Sequence, residues 1–263
     1  MSFGAHAGGG WSRDPEDDDA HVYYAFGRLS GSDLTIDGVH RCDGREGLFW
    51  VILDSRGPWG LDFPFSLPVW TYPTFSNRDW PALLKFAEAF DRAEVEDFMR
   101  AAELDDLEGE CRHPGDACRV TDAEAGALSP IKRDLPDRLR TTHAGLRLLS
   151  RLRGHGASVY PFEDLGGTRQ RLYEVYPANT YARLGLGDAF GPRDFVAAFN
   201  AWEERAVDLS VRWEALPVGY ALDSLVSCVT LANAIRASDL DARWNEMPAF
   251  VTALEWEVRM KEA

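Results

Sequence analysis

Three carboxylates interrupt segments that otherwise read as protein core. Asp62 ends the apolar run Trp59-Gly-Leu-Asp-Phe-Pro64, Glu174 lies inside Arg171-Leu-Tyr-Glu-Val-Tyr-Pro177, and Asp223 lies inside the helical run Tyr220-Ala-Leu-Asp-Ser-Leu-Val-Ser-Cys-Val229. Burying an ionised carboxylate is costly unless a cation, a hydrogen-bond network or a proton compensates it. A fold that accepts this chain must therefore provide partners for all three. Asp62 at a strand end has an ordinary alternative role, capping the turn that follows. Glu174 has fewer, since strand alternation puts Leu172 and Tyr176 on its own face and Tyr173 and Val175 on the other. For Asp223 the alternative is an arginine salt bridge. A helix starting at Pro217 would leave Asp223 beyond its first turn, outside the reach of capping or the helix dipole. Taken together, the three acids point to a hard-cation site for Mg²⁺ or Mn²⁺, with Asp62, Glu174 and Asp223 as ligands.

The chain has 263 residues and is 45% hydrophobic, enough to bury a full core. We expect a flexible N-terminal segment over 1–20 and one domain over 21–263 that ends in a C-terminal helix extension. Against 28 basic residues stand 43 acidic ones, a formal charge of −15 that repels phosphate backbones unless basic residues cluster locally. Arginine greatly outnumbers lysine, and with the acidic excess this fits a halophilic, high-salt cytoplasm in which screening shortens the repulsion among surface acids. The 4 cysteines read as reduced, because a chain of this size needs no staples and Cys228 falls in an apolar helix. Neither a signal-peptide pattern nor an apolar run near the ~20 residues of a membrane span is present, so a cytoplasmic protein without a membrane partner is expected.

Alternating aromatic and β-branched residues over His21–Leu29 and Leu34–Cys42, separated by Ser30-Gly-Ser-Asp33, predict a hairpin. A short helix over Gly47–Leu53 and a strand over Gly60–Phe63 follow. Helical spacing then runs from Asp79 to about Leu104 and from Pro136 to Arg153, separated by a polar loop. Strands over Ala157–Phe162 and Arg169–Tyr176 precede helices over Ala178–Leu184, Pro192–Glu204, Pro217–Arg236 and Met247–Arg259. Strands and helices interleave without a repeat, which makes the class α/β.

Weaker signals are set against plainer readings. Cys111, His113 and Cys118 make half a zinc site with no fourth ligand. Ser129-Pro-Ile-Lys132 has the serine–lysine spacing of penicillin-recognising enzymes without their Lys-Thr-Gly. Gly8-Gly-Gly10 lacks the lysine of a phosphate loop. Arg133, Arg140, Arg147 and Arg151 share a helix face. Such a face is ordinarily a solvated surface; as a functional one it is a track for nucleic-acid phosphates, supplying the positive field that the net charge denies.

Four stretches in order, Gly60-Leu-Asp-Phe-Pro-Phe-Ser-Leu-Pro68, Thr121-Asp-Ala-Glu-Ala-Gly-Ala-Leu-Ser-Pro130, Tyr173-Glu-Val-Tyr-Pro-Ala-Asn-Thr-Tyr-Ala-Arg-Leu-Gly-Leu186 and Ala221-Leu-Asp-Ser-Leu-Val-Ser-Cys-Val-Thr-Leu-Ala232, resemble domain-of-unknown-function family 429, regarded as predicted nucleases of ribonuclease-H-like fold. The resemblance covers roughly His21 to Arg236. It implies a mixed central sheet, three antiparallel strands followed by parallel ones, with helices on both faces. Asp62, Glu174 and Asp223 would converge near its middle on one or two divalent metals that hydrolyse phosphodiesters.

The chain departs from the family pattern at its start. Members open on a strand bearing an Asp followed by an aromatic, a small residue, Gly and Ala, whereas Met1-Ser-Phe-Gly-Ala5 matches only the tail of that motif. The first strand and its aspartate therefore read as missing or degenerate, through a start placed too late or a decayed site. Asp14 and Asp17 to Asp19 lie in a stretch without strand character and are not taken as ligands. Two functions follow as expectations: a metal-dependent nuclease or phosphoesterase impaired by the lost aspartate, or a non-catalytic interaction or regulatory module.

Overall fold

The computed structural model describes residues 2–7, 21–67, 80–91, 136–163, 170–187, 190–211 and 220–237, with isolated positions between 93 and 130. Its strands are β1 (Ser2–Ala7), β2 (His21–Ser30), β3 (Asp33–Asp43), β4 (Gly57–Asp62), β5 (Ser158–Val159), β6 (Gln170–Glu174) and β7 (Asp208–Val211). The helices are α1 (Gly44–Asp54), α2 (Trp80–Ala89), α3 (Pro136–Gly154), α4 (Pro177–Arg183), α5 (Pro192–Ala201) and α6 (Tyr220–Arg236). The class is mixed α/β, as expected. The chain divides into two compact units, Met1–Phe63 with His155–Met247, and Pro64–Gly154 with Pro248–Ala263.

All the strands above belong to the first unit and form one sheet in the order β5-β6-β4-β1-β2-β3-β7. β1, β2 and β3 are antiparallel neighbours, while β4 runs parallel to β1, β6 to β4, β5 to β6 and β7 to β3. The reading of the first strand as missing is corrected here: Ser2–Ala7 is the central strand, hydrogen-bonded on both sides, while 8–20, the rest of the expected N-terminal segment, lie outside the described residues. What β1 lacks is a carboxylate, since Ser-Phe-Gly-Ala-His-Ala contains none.

The hairpin turns at Gly31, whose φ of 63° suits a residue without Cβ. Phe26 pairs with Gly38 and Gly27 with Ile36, so Asp37 is an extra residue on β3. This bulge flips the alternation. Leu34 and Ile36 face the core before it and Val39 after it, while Asp37 is held outside by Arg28 through bonds of 2.8 Å from Nε and 2.7 Å from Nη2.

α6 packs across β1, β2, β3 and β4. A Cβ built on Gly60 would stand 3.0 Å from Val175 Cγ1 and 3.5 Å from Leu231 Cβ, so β4 and α6 approach closely where β4 has no side chain. Trp59 and Gln170 belong to the opposite face by alternation. There Trp59 Nε1 donates to Ser55 Oγ at 2.6 Å and Gln170 Nε2 to Leu53 O and Ser55 O at 3.0 and 2.8 Å, seating the C-terminal end of α1. Helices therefore cover both faces.

In the second unit, α2 buries Trp80, Leu83, Leu84 and Ala87 and packs on α3. Trp80 Nε1 donates to Phe65 O at 2.6 Å, and the Arg153 guanidinium lies 5.1 Å from the Trp80 ring centroid. His143 Nε2 lies 3.0 Å from Ala87 O and 3.2 Å from Phe90 O, so this nitrogen carries the proton and satisfies carbonyls at the end of α2. α3 spans the residues its leucine periodicity indicates. Among the described residues, no helix is long and apolar enough to cross a membrane, and Cys42 and Cys228 are free and buried. Burial pushes the Cys42 thiol up to about 11 and that of Cys228 up to about 12, so neither is a thiolate at neutral pH.

Candidate functional site

Asp62 is the last residue of β4, opposite Ala7 of the central strand. Alternation places it on the face of Gly60, the face on which α6 lies. Asp223 stands in the first turn of α6. Residues 217–219, where the expected helix begins, lie outside the described residues; in the helix as described from Tyr220, the dipole and the unpaired N–H groups of the first turn favour this carboxylate.

Asp223 is met by Tyr181, which the sequence did not single out. Its hydroxyl donates to Asp223 Oδ1 at 2.5 Å. Burial pushes the phenol far up from its ordinary value, the bond to Asp223 pushes it further, and the charges of Asp223 and Asp62 add to the effect. The phenol is therefore a permanent donor at any physiological pH. Burial also raises the Asp223 carboxyl, an effect partly offset by the bond it accepts from Tyr181.

Local sequence fixes Tyr181 in place. Pro177 opens α4 with its φ already helical, after an extended Tyr176. α4 then closes on Gly185 at φ 68°, with Gly185 N–H bonded to Ala182 O and Leu186 N–H to Tyr181 O, the double bond of a left-handed helix stop. Thr180 Oγ1 lies 2.7 Å from Thr230 Oγ1 and ties α4 to α6. The Tyr181 ring meets Phe190 edge-on at 4.6 Å and Phe195 at 6.3 Å.

Glu174 does not join this group. It pairs in register with Leu61, so it shares the face of Leu61 and Trp59 and points away from Asp62, and it is exposed. The sequence-stated trio thus separates into Asp62 and Asp223 on one face and Glu174 on the other. Among the described residues, no group of three or more His, Cys, Asp or Glu side chains is arranged to hold a metal ion. Of the arginine face, Arg133 lies outside the described residues; Arg140 is half-buried, and Arg147 and Arg151 are exposed on α3. Cys111, His113, Cys118, Lys132, Gly8 to Gly10 and the Met247–Arg259 helix also lie outside them.

Asp122, from the second of the family-like stretches, is spent structurally. It and Arg119 are both buried, and the Arg119 guanidinium grips it with bonds of 2.9 Å from Nε and 2.5 Å from Nη2. A third bond comes from the Arg119 backbone N–H at 3.1 Å, which leaves this carboxylate little capacity for a ligand.

The raised Asp223 carboxyl has a measurable consequence. Because its folded pKa lies above the ordinary 3.8, the folded protein holds this proton more readily than the unfolded chain. Its contribution to stability is complete below that value and is lost as pH rises through the folded pKa. Asp223→Asn keeps an oxygen for Tyr181 and removes the charge. In metal-free buffer its stability relative to the parent should rise with pH above 3.8 and then level off. Paired thermal melts across the acid range check this; a gap that is flat or shrinks would contradict the burial argument.

No protein-family model, curated protein or solved structure matches the chain.

Proposed function

We propose that this chain is a ribonuclease-H-like phosphodiesterase of the nuclease type, with a reduced carboxylate set centred on Asp62 and Asp223. The observation that carries the reading is that Asp62 ends a strand beside the centre of the sheet, on the face covered by α6, whose first turn carries Asp223. Carboxyl ends of strands in α/β sheets are where ligand sites gather. The strand order β3-β2-β1-β4-β6, antiparallel and then parallel, supports it as well.

The donor set fits a small hard cation but not a tightly caged one. Two carboxylates suffice for Mg²⁺ or Mn²⁺, which keep several waters and share substrate phosphate oxygens. Bound there, the ion would supply Lewis acidity at the phosphoryl group. Asp62 and Asp223 hold it in this reading, and Tyr181 orients Asp223 and remains protonated. Nucleic acid is the substrate proposed, met against an unfavourable net charge.

The test is Mn²⁺-dependent cleavage of labelled single-stranded and duplex oligonucleotides by the full chain. Asp62→Asn and Asp223→Asn should each lower the rate by more than about 100-fold, since even the residues that orient metal ligands are worth 10–100-fold. Slow cleavage lost in both variants supports the reading, and cleavage unchanged by both sinks it. One observation favours a second reading, a non-catalytic interaction module: β1 bears no acid and Tyr181 already satisfies one Asp223 oxygen. Absence of any metal-dependent cleavage by a folded chain selects that module.

A further inference from the structure

β7 is an edge strand: it pairs with β3 on one side and ends the sheet there. Such a strand offers its outer N–H and C=O groups to any extended chain, which is a route to pairing between copies. Along a strand, the N–H and C=O of one residue point to the same edge, and successive residues alternate between edges. Asp208 N–H turns inward, to Ser32 O at 2.8 Å. Leu209 therefore presents its backbone pair on the outer edge, and so does Val211.

The outer edge at Leu209 is already taken. Asn200, in the last turn of α5, donates from Nδ2 to Leu209 O at 2.9 Å and accepts from Leu209 N–H on Oδ1 at 3.0 Å. A carboxamide carries a peptide-like donor and acceptor, so Asn200 stands where a residue of an eighth strand would stand. Its helix cannot swing aside cheaply, because Phe199 beside it packs into the same buried cluster as Leu209. The turn between α5 and β7 is closed as well: the Arg205 guanidinium donates to Trp202 O at 2.9 Å and to Asp208 Oδ1 at 3.2 Å. Leu209 is buried, while Asp208 and Ser210 on either side of it are exposed.

We propose that the Asn200 amide is an autoinhibitory contact, a side-chain stand-in for a strand that closes β7 to edge-to-edge pairing with a second copy of this chain. The inference does not depend on any role for Asp62 or Asp223. A second copy is the partner because every copy carries the same edge, so two β7 strands can exchange backbone bonds in one symmetric contact. Charge is the other barrier between copies. A net −15 repels a second molecule in dilute buffer, but at 1 M salt the Debye length is only ~3 Å and that repulsion is lost. Local hydrogen bonding is then what keeps the edge closed.

The experiment is size-exclusion chromatography with light scattering on the full chain, over a range of protein concentrations in dilute buffer and in molar KCl. Asn200→Ala should self-associate at concentrations ~tenfold or more below the parent's, the worth of backbone hydrogen bonds exchanged across a new edge, and more readily in KCl. Ile52→Ala opens a cavity under α1 and leaves α5 untouched, so it controls for lost stability and should match the parent. Adding Val211→Pro to Asn200→Ala removes an outer N–H of β7 and should restore the parent's behaviour. Asn200→Asp keeps the size and the acceptor but loses the donor to Leu209 O; it should associate like Asn200→Ala, and it takes over the comparison if the alanine variant does not fold. A folded Asn200→Ala that stays in the parent's state at every concentration and salt overturns the proposal. So does equal association by Ile52→Ala, which would trace the effect to lost stability, and so does association that Val211→Pro leaves unchanged, which would place it on another surface.

Discussion

Replacing Phe195 by alanine should lower the unfolding free energy by about 3–5 kcal/mol, the usual cost of emptying a phenylalanine site in a packed core. Phe195 on α5 is fully buried, as is Phe199 one turn on, and their ring centroids are 5.9 Å apart. Around them lie Leu209 of β7 and the α6 residues Leu222, Leu225 and Val226 in one cluster. The deletion thus opens a void between two helices and the sheet, where neighbours on three elements cannot all relax at once. Such a loss is a large part of the ~5–15 kcal/mol that holds a domain folded. Urea unfolding should show a lower midpoint with an unchanged slope. The site should feel the same change, because the Tyr181 ring rests on Phe195 edge-on. A loss under about 1 kcal/mol would mean that α5 does not close this core.

The contrast between legible and illegible elements has a physical basis. β2 and β3 were readable because aromatic and β-branched residues alternate with small or polar ones along much of each strand. β1 was not. Its Ser-Phe-Gly-Ala-His-Ala has no alternation to read, and its place at the centre comes from backbone bonds to β2 and β4, which no side-chain pattern encodes. β7 escaped notice for a different reason: four residues pairing with Asp33–Ile36 are too few to establish a period.

The site divides along the same line. Asp62 and Asp223 could be singled out because a charge inside an apolar run is visible locally. That Glu174 parts from them depends on the Leu61–Glu174 register, a relation between strands more than a hundred residues apart in sequence. Tyr181 carried no local anomaly, since a tyrosine in an amphipathic helix is ordinary; only its partner makes it functional.

Gly60 is the position where fold and site are most tightly coupled. Its Cβ would stand 3.0 and 3.2 Å from the two methyls of Val175 and 3.5 Å from Leu231 Cβ. Val175 is branched at Cβ and offers few rotamers, and Leu231 is held by the helix, so neither can yield cheaply. Gly60→Val should therefore destabilise by about 1–3 kcal/mol or more, the cost of overpacking a filled interior. Relief must come from α6 lifting off β4, which displaces Asp223 relative to Asp62. Mn²⁺ affinity should fall with stability, although no proposed ligand has been touched. A second change separates crowding from any intrinsic effect on β4. Val175→Ala alone leaves a cavity, but in the Gly60→Val background it supplies the missing space, so the double variant should be more stable than the sum of the singles by about 0.5–3 kcal/mol. Strict additivity, or a Gly60→Val protein with the stability and Mn²⁺ binding of the parent, would show that α6 does not bear on β4 at this point.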